Sequence, residues 1–303
     1  MDTSKDSKFV ESFQASDKTF YFAKVNIHGN IFKPNLHELI NEEIPRVIEN
    51  AKDIRLKHST VSFTDITRKT IDGNTIILGH VTNSKKEKLR YRDGSHTYLA
   101  RSEQELANSA MFIYDLKSEI IAFTTNSRIN VHSFLHYFTK LLSQDEVVGE
   151  VVIKLIPEDY DIIREILAVE KVTYIKFSLI HPNPGKRHYN LYQKMVDDTS
   201  SKEIEISFKD EKDGLNVQVE NEKIVNETIK DGVDLVHSGY GEVELKGENY
   251  AYVESGKVRK TKKKITKKRK FNSKTSNKKL TLRGVTTERA INKVLDYINN
   301  LLF

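Results

Sequence analysis

Apolar and polar side chains alternate along many short segments of the chain, and this period of two is typical of strands with one buried face. Residues 19–29, TFYFAKVNIHG, alternate in this way and predict the first strand. Further strands are predicted at 60–66, 75–82, 88–92, 96–101, 110–116, 119–125, 150–156, 171–181, 203–208, 239–247, 250–255 and 280–284. Asp72-Gly73 and Asp93-Gly94 are turn signals, and they predict hairpins between the strands that they separate. The strands at 239–247 and 250–255 are expected to form another hairpin.

Helices are predicted where apolar residues lie three or four positions apart, or where a helix-start signal occurs. These segments are 36–52, 131–143, 157–168, 186–198, 215–229 and 286–302. Asn35 is expected to cap the first helix, and Pro45 to kink it. The many β-branched residues of 215–229 weaken the helical pattern there.

Strands and helices do not follow a regular β-α-β series, which predicts an α+β fold of mostly antiparallel sheets with inserted helices. A length of 303 residues allows two domains. The expected organisation is a flexible leader at 1–18, an N-terminal α+β domain at 19–145, and a C-terminal α+β domain at 146–303. The C-terminal domain would include a basic loop at 257–279.

Composition excludes several classes of function. The chain has no cysteine, which excludes disulfides, thiolate metal sites and cysteine nucleophiles. No glycine loop of the nucleotide-hydrolase or dinucleotide-binding kind occurs. No run of 18 apolar residues and no signal-peptide core is present, so we expect a cytoplasmic protein without a membrane partner.

The basic residues are concentrated in one segment, residues 257–279, which contains 13 of the 49 basic side chains and no acidic one. The rest of the chain has 36 basic and 43 acidic residues, so it is net acidic. Clustered cations of this kind predict binding to the phosphates of nucleic acid. The predicted contacts are Lys257, Arg259, Lys260, Lys262, Lys263, Lys264, Lys267, Lys268, Arg269, Lys270, Lys274, Lys278 and Lys279. A solvated loop, a nuclear-localisation signal and a patch for anionic lipid are the alternatives.

Two smaller basic groups are further candidates for nucleic-acid binding. Lys186 and Arg187 follow a Pro-Asn-Pro turn at the predicted start of a helix, where backbone amides can also hold a phosphate. Arg90 and Arg92 alternate with tyrosines on a predicted hairpin that can lie along a nucleic-acid backbone. An ordinary helix cap and an ordinary exposed hairpin are the alternatives.

A catalytic alternative rests on Asp234 with Glu244 and Lys246. An Asp followed by Glu-x-Lys on a strand is the spacing of many metal-dependent nucleases, in which the carboxylates hold Mg or Mn and the lysine steadies the attacking water. Strands with alternating Glu and Lys are also common on solvated sheet faces. The leading hypothesis has no catalytic residue, no cofactor and no metal.

The chain resembles a protein family encoded beside anti-phage defence genes and, more distantly, the RexA-type prophage exclusion proteins. The similar segments are MFIYDLKSEIIAFTTNSRINVHSFLHYFTKLL (111–142), FSLIHPNPGK (177–186), EIEISF (203–208) and DGLN (213–216). The resemblance implies a homodimeric, sequence-tolerant DNA-binding protein that acts in phage exclusion. Residues 257–279 have no counterpart in this pattern, and no active-site residue is implied.

These inferences lead to one hypothesis and two alternatives. The hypothesis is a nucleic-acid-binding protein of an anti-phage defence or phage-exclusion system that grips the phosphate backbone with little sequence specificity. The alternatives are a metal-dependent nuclease and a sensor or interaction subunit that docks a partner protein of the same defence system.

Overall fold

The chain forms an α+β fold with antiparallel sheets, as predicted, and its described residues divide into two compact units. A computed structural model describes residues 17–31, 35, 38–71, 73–182, 192, 195, 198–255 and 261–301; the side chains of 159, 160, 252–255, 261–264 and 287 are not included. Unit 1 consists of residues 17–153 and 279–301, and unit 2 is Lys154–Lys278. The predicted leader, 1–18, lies outside the described residues except for its last two.

The strands of the described residues, in chain order, are β1 (Lys18–Asn26), β2 (Ile54–Arg55), β3 (Thr60–Ile71), β4 (Asn74–Lys85), β5 (Lys88–Asp93), β6 (His96–Arg101), β7 (Leu106–Asp115), β8 (Ile120–Thr124), β9 (Val152–Leu155), β10 (Lys171–Ile180), β11 (Glu203–Lys209), β12 (Val219–Glu220), β13 (Lys223–Ile224), β14 (Gly241–Ser255), β15 (Thr261–Asn272) and β16 (Lys279–Leu282). The helices are α1 (Ile44–Asn50), α2 (Val131–Leu142), α3 (Asp159–Leu167), α4 (Glu227–His237) and α5 (Thr287–Leu301).

Unit 1 is built on one antiparallel sheet with the strand order β16-β1-β8-β7-β4-β3-β2. Helix α2 packs on this sheet because Phe134 and Phe138 recur at helical spacing and are fully buried. The ring of Phe134 stacks on Phe123 of β8, with 4.1 Å between ring centroids. The helix begins where the Asn130 side chain accepts a hydrogen bond from the Ser133 amide at 2.9 Å.

The C-terminal segment belongs to unit 1, so the predicted domain at 146–303 is wrong for its last 25 residues. Strand β16 pairs with β1 at the edge of the sheet, for example Thr19 opposite Thr281. In α5, Ala290 and Val294 are fully buried, and the ring of Tyr297 lies 4.7 Å from that of Phe22. The apolar pattern of a helix shows that it has a buried face, but not which sheet covers that face.

Unit 2 contains a four-stranded antiparallel sheet with the order β11-β10-β14-β15. One face is apolar, with Phe177 of β10 and Leu245 of β14 fully buried. Helix α4 approaches this face so closely that a Cβ on Gly232 would lie 2.8 Å from the Phe177 ring. The other face carries polar side chains from all four strands.

Two predictions between residues 215 and 255 are wrong. The predicted helix at 215–229 is instead the short hairpin β12–β13, followed by α4 from Glu227. Asn221 and Glu222 form the hairpin turn with φ angles of 48° and 60°, which a helix does not allow. The predicted hairpin of 239–247 and 250–255 is the single strand β14, in which Gly247 allows the strand to approach Val169 rather than to turn.

The helix predicted at 36–52 is shorter, and it begins irregularly. A π-helical turn, Leu39–Glu43, precedes α1 in the described residues. The backbone is helical without a break from position 38 to Asn50, and Pro45 lies directly after the π-helical turn. The predicted kink at Pro45 stays a prediction.

Candidate nucleic-acid interface

Residues 261–272 of the basic segment, which was predicted as a loop or hairpin, form strand β15, which pairs with β14. Strand β15 pairs with β14 without interruption from Glu244 opposite Asn272 to Ser255 opposite Thr261. We call these two paired segments, 244–255 and 261–272, the basic ribbon. The pairing of β14 with β10 ends at Glu248. Beyond it the ribbon extends over roughly 20 Å without a third strand among the described residues.

Consecutive lysines in β15 place positive charge at register positions on both faces of the ribbon, because successive residues of a strand alternate in direction. Positions 262, 264, 268 and 270 belong to one face, and positions 263, 267 and 269 to the other. Lys262, Lys263 and Lys264 are placed here by backbone register only.

The cations of the ribbon whose side chains are described are mostly not neutralised by carboxylates. Lys267, Lys268 and Lys270 are exposed, and none forms an ion pair with any residue that the structure describes. Glu248 lies opposite Lys268 in the register, but its carboxylate binds Lys171 at 3.1 Å. The ammonium groups are therefore available to an external anion.

Arg269 is the exception, because it anchors the ribbon to α3. Its guanidinium donates two hydrogen bonds to the Glu165 carboxylate, at 2.5 and 2.7 Å. These hydrogen bonds, with the charge of Arg269, hold the pKa of Glu165 below its usual value. The Glu165 side chain is 9% exposed, so the pair is partly shielded from water. The sequence predicts Arg269 as a phosphate contact, whereas the structure places it in a supporting position.

A row of side chains crosses the polar face of the sheet and meets the ribbon. Cross-strand register aligns Lys209 of β11, Tyr174 of β10, Lys246 of β14 and Lys270 of β15. We call these four residues the cationic row. The Lys246 ammonium lies 4.4 Å from the centroid of the Tyr174 ring, and the row lines a hollow of about 340 Å³. Sequence analysis missed Tyr174 and Lys209, because only the strand register reveals that they stand beside two of the predicted lysines.

The remaining predicted contacts of the basic segment fall into three groups. Lys274 forms an ion pair with Glu242 at 2.7 Å. Lys278 is only 5% exposed. A buried side chain cannot reach a phosphate, so the prediction of Lys278 as a contact is wrong. Lys279 lies in unit 1, with its ammonium 5.3 Å from the centroid of the Tyr21 ring. Lys257, Arg259 and Lys260 lie outside the described residues, as do Lys186 and Arg187 of the separate group after the Pro-Asn-Pro turn.

A comparison with protein-family models matches residues 18–287 to the family described as domain of unknown function DUF4747. The chain belongs to the DUF4747 family. No curated protein and no solved structure matches this chain. The match covers most of both units, including the whole basic ribbon. Among the described residues of this DUF4747 chain, no helix combines the length and the apolar character needed to cross a membrane.

The predicted hairpin with Arg90 and Arg92 forms as β5 and β6 in unit 1 of the DUF4747 chain. The two arginines lie on the same face of the hairpin, where Arg90 donates to the Thr97 hydroxyl at 3.1 Å and Arg92 to the Gly94 carbonyl at 2.8 Å. Tyr91 and Tyr98 pair on the opposite face, with 5.8 Å between ring centroids. The basic and aromatic side chains that alternate in sequence are thus separated onto two faces.

The structure does not bring the nuclease candidates together. Asp234 lies on α4 and binds Lys230 at 2.7 Å, and α4 packs on the apolar face of the sheet. Glu244 and Lys246 point to the polar face, on the other side. Within the described part of the DUF4747 chain, no group of three or more acidic, histidine or cysteine side chains has the geometry of a metal site.

Proposed function

We propose that this protein binds nucleic acid through the phosphate backbone with little sequence specificity, and that the basic ribbon is the main contact. The observation that carries the proposal is the set of exposed lysines on β15 that make no ion pair with a described residue. Binding DNA or RNA would release the counterions condensed on the phosphates, and each lysine contact adds to this gain.

The shape of the ribbon also supports contact with a nucleic-acid groove. The major groove of B-DNA is about 12 Å wide and admits a two-stranded β-ribbon. The outer part of the basic ribbon, 249–255 and 261–267, has no third strand beside it among the described residues, so it has the dimensions of such an element. We therefore propose DNA in preference to RNA.

Low specificity follows from the side chains that the ribbon offers. Arginine and asparagine read bases by paired hydrogen bonds, whereas lysine acts as a point charge. Arg269 is bound to Glu165, and the Asn249 side chain donates to the Ala168 carbonyl and accepts from the Glu170 amide, both at 2.8 Å. These two side chains hold the ribbon in place, and the lysines are left to contact phosphates.

The setting that we propose is the cytoplasm, in an anti-phage defence or phage-exclusion system, as a homodimer that can act with a partner protein. This part of the proposal is supported by the resemblance of 111–142 and 177–186 to defence-associated proteins. Light scattering of the purified chain tests the dimer. Plaque counts from cells with and without the gene test the defence role.

Binding is tested by fluorescence anisotropy with duplexes of unrelated sequence, over a range of salt concentrations. The test variant replaces Lys262, Lys263, Lys264, Lys267 and Lys268 by Gln. We expect its affinity for every duplex to fall at least a hundredfold at about 0.1 M salt. The slope of log affinity against log salt concentration should fall by up to about 4.5, which is about 0.9 for each lysine.

The matched control makes the same change in net charge on exposed lysines of unit 1, by replacing Lys52, Lys69, Lys117, Lys140 and Lys293 by Gln. We expect the control to retain affinity within about threefold. Equal losses in both variants would mean that net charge alone governs binding, and unchanged affinity in the test variant would exclude the ribbon as the contact.

A further inference from the structure

A cleft in unit 1, separate from the basic ribbon, gathers positive charge from several segments of the chain. It has a volume of about 670 Å³ and lies among the β2–β3 turn, the end of β4 and the base of the β5–β6 hairpin. Its lining includes the cationic side chains Arg55, Lys57, Lys85, Lys86, Lys88 and Arg101, together with His58. We call it the cationic cleft.

The cations of the cleft exceed its carboxylates by four. Only two acidic residues, Glu87 and Glu105, line it, and Glu87 is bound to Lys85 at 2.7 Å. Glu105 accepts a hydrogen bond from the Ser84 hydroxyl. Arg55, Lys57, Lys86, Lys88 and Arg101 are exposed and form no ion pair with any residue within the described ranges.

Hydrogen bonds fix the wall of the cleft at the base of the β5–β6 hairpin, where two of these cations are neighbours. The Ser102 amide donates to the Glu87 carbonyl at 2.8 Å, and the Glu87 amide donates to the Ser102 hydroxyl at 3.1 Å. Lys88 and Arg101 are directly opposite each other in the β5–β6 register. Like charges in directly opposed positions destabilise a hairpin, and a bound anion would remove this repulsion.

The lining indicates which anion fits. His58 has the only aromatic ring among the residues that line the cleft, and no tyrosine, phenylalanine or tryptophan is there to stack a base. Five cations without carboxylate partners suit a ligand with several negative charges on adjacent groups better than a single carboxylate or sulfate. We propose that the cationic cleft binds a ligand with two or more adjacent phosphate groups.

Two sources share this chemistry: a free nucleoside polyphosphate or pyrophosphate, and the 5′-polyphosphate end of a nucleic-acid strand. The cleft residues belong to unit 1 and the ribbon residues to unit 2. The inference therefore does not depend on the ribbon binding nucleic acid, and the two can be tested separately.

Isothermal titration of the full chain with pyrophosphate, ATP, inorganic phosphate and sulfate, at constant ionic strength, tests the inference. We expect pyrophosphate and ATP to bind saturably and at least tenfold more tightly than phosphate or sulfate. Replacing both Lys86 and Arg101 by Gln should weaken pyrophosphate binding at least tenfold. Replacing Arg90 and Arg92 by Gln removes the same charge from β5, outside the cleft, and should leave pyrophosphate binding within twofold.

The two sources are distinguished with the five-lysine ribbon variant, in which backbone binding is weak. Oligonucleotides with a 5′-triphosphate and with a 5′-hydroxyl are compared by anisotropy. A preference of at least tenfold for the triphosphate identifies the strand end as a ligand, and no preference together with tight ATP binding identifies the free nucleotide. Both results support the cleft. The inference would be overturned if pyrophosphate did not bind saturably, or if it bound no more tightly than sulfate. Equal losses of pyrophosphate binding in the Lys86/Arg101 variant and the Arg90/Arg92 variant would also overturn it.

Discussion

The chain carries two basic hairpins that use their charge differently. In the β5–β6 hairpin, arginines alternate with other residues, so the cations lie on one face and Tyr91 stacks with Tyr98 on the other. In the basic ribbon, lysines are consecutive, so both faces have cationic positions. The ribbon also continues a four-stranded sheet, whereas β5 and β6 pair only with each other within the described residues.

The two hairpins also differ in the contacts that anchor them to the rest of the protein. The ribbon is held by the bidentate pair of Arg269 and Glu165 and by the Asn249 side chain. Its lysines therefore extend from a fixed base, which would lower the conformational entropy lost in the proposed binding to nucleic acid. The β5–β6 hairpin contributes Lys88 and Arg101 to a cleft at its own base.

The largest expected effect concerns the glycine within the ribbon. Gly247 lies beside Val169, whose Cγ2 would be 2.6 Å from a Cβ at position 247. Gly247→Ala should therefore destabilise unit 2 by about 2 kcal/mol, as measured by urea unfolding followed by circular dichroism. In a Val169→Gly background, which lacks the Cβ and both Cγ atoms that the new Cβ meets, Gly247→Ala should cost much less. An equal cost in the two backgrounds would contradict this explanation.

The next effect separates stacking from charge. Tyr174→Leu should weaken binding to a single-stranded oligonucleotide about tenfold, because base stacking on an aromatic ring contributes about 1–3 kcal/mol per base. Tyr174→Phe keeps the ring and should bind within twofold of the original protein. Duplex binding, measured by the same anisotropy assay, should change little in either variant. Equal losses for single strands and duplexes would show that Tyr174 acts only by positioning Lys246.

A smaller effect is expected at the turn of the β5–β6 hairpin. Gly94 has a φ angle of 56°, and a Cβ at this position would meet no other atom within 4 Å, so crowding plays no part there. Gly94→Ala should destabilise the protein by about 1 kcal/mol because of the left-handed backbone, and Gly94→Asn by less, because asparagine tolerates this conformation. Amide hydrogen exchange across β5 and β6 measures the destabilisation in each variant. Equal effects of the two substitutions would contradict the explanation by backbone conformation.

The smallest effect is the pH dependence of the ribbon anchor. Because Arg269 lowers the folded-state pKa of Glu165, this pair contributes its full stability above the unfolded-state value of about 4.3 and loses it as the pH falls through the folded-state pKa. Glu165→Gln should destabilise unit 2 by about 1 kcal/mol at pH 7. The difference between the two proteins should shrink as the pH falls below about 4.3 and vanish below the folded-state pKa of Glu165. A difference that does not change with pH below about 4.3 would show that the carboxylate charge is not its cause.

The sequence predicts a helix, strand or turn well where the pattern of side chains is compatible with only one local structure. The alternation at 88–92 and 96–101 with Asp93-Gly94 between them predicts the observed hairpin, and the helix at 131–143 ends within one residue of the prediction. The prediction of a turn near Gly247 is wrong because a glycine that allows close packing and a glycine that turns the chain look the same in sequence. The two are distinguished only by the neighbour, here Val169.

The candidate site was predictable only in part for the same reason. The density of lysines in 257–279 is a property of sequence alone, and it identifies the ribbon. The cationic row depends on the register of four strands, which places Tyr174 beside Lys246 although 72 positions separate them. The hydrogen bond from Arg269 to Glu165 depends on α3, which places Glu165 beside the guanidinium. Neither the register nor this contact leaves a local pattern.

The most direct test is hydrogen exchange of the full chain with and without a saturating duplex that has 5′-hydroxyl ends. The amides of 249–255 and 261–267 are predicted to exchange more slowly when the duplex is bound, while those of β5 and β6 are unchanged. Unchanged exchange along the ribbon at saturation, or protection confined to the β5–β6 hairpin, would contradict the claim that the ribbon grips the phosphate backbone.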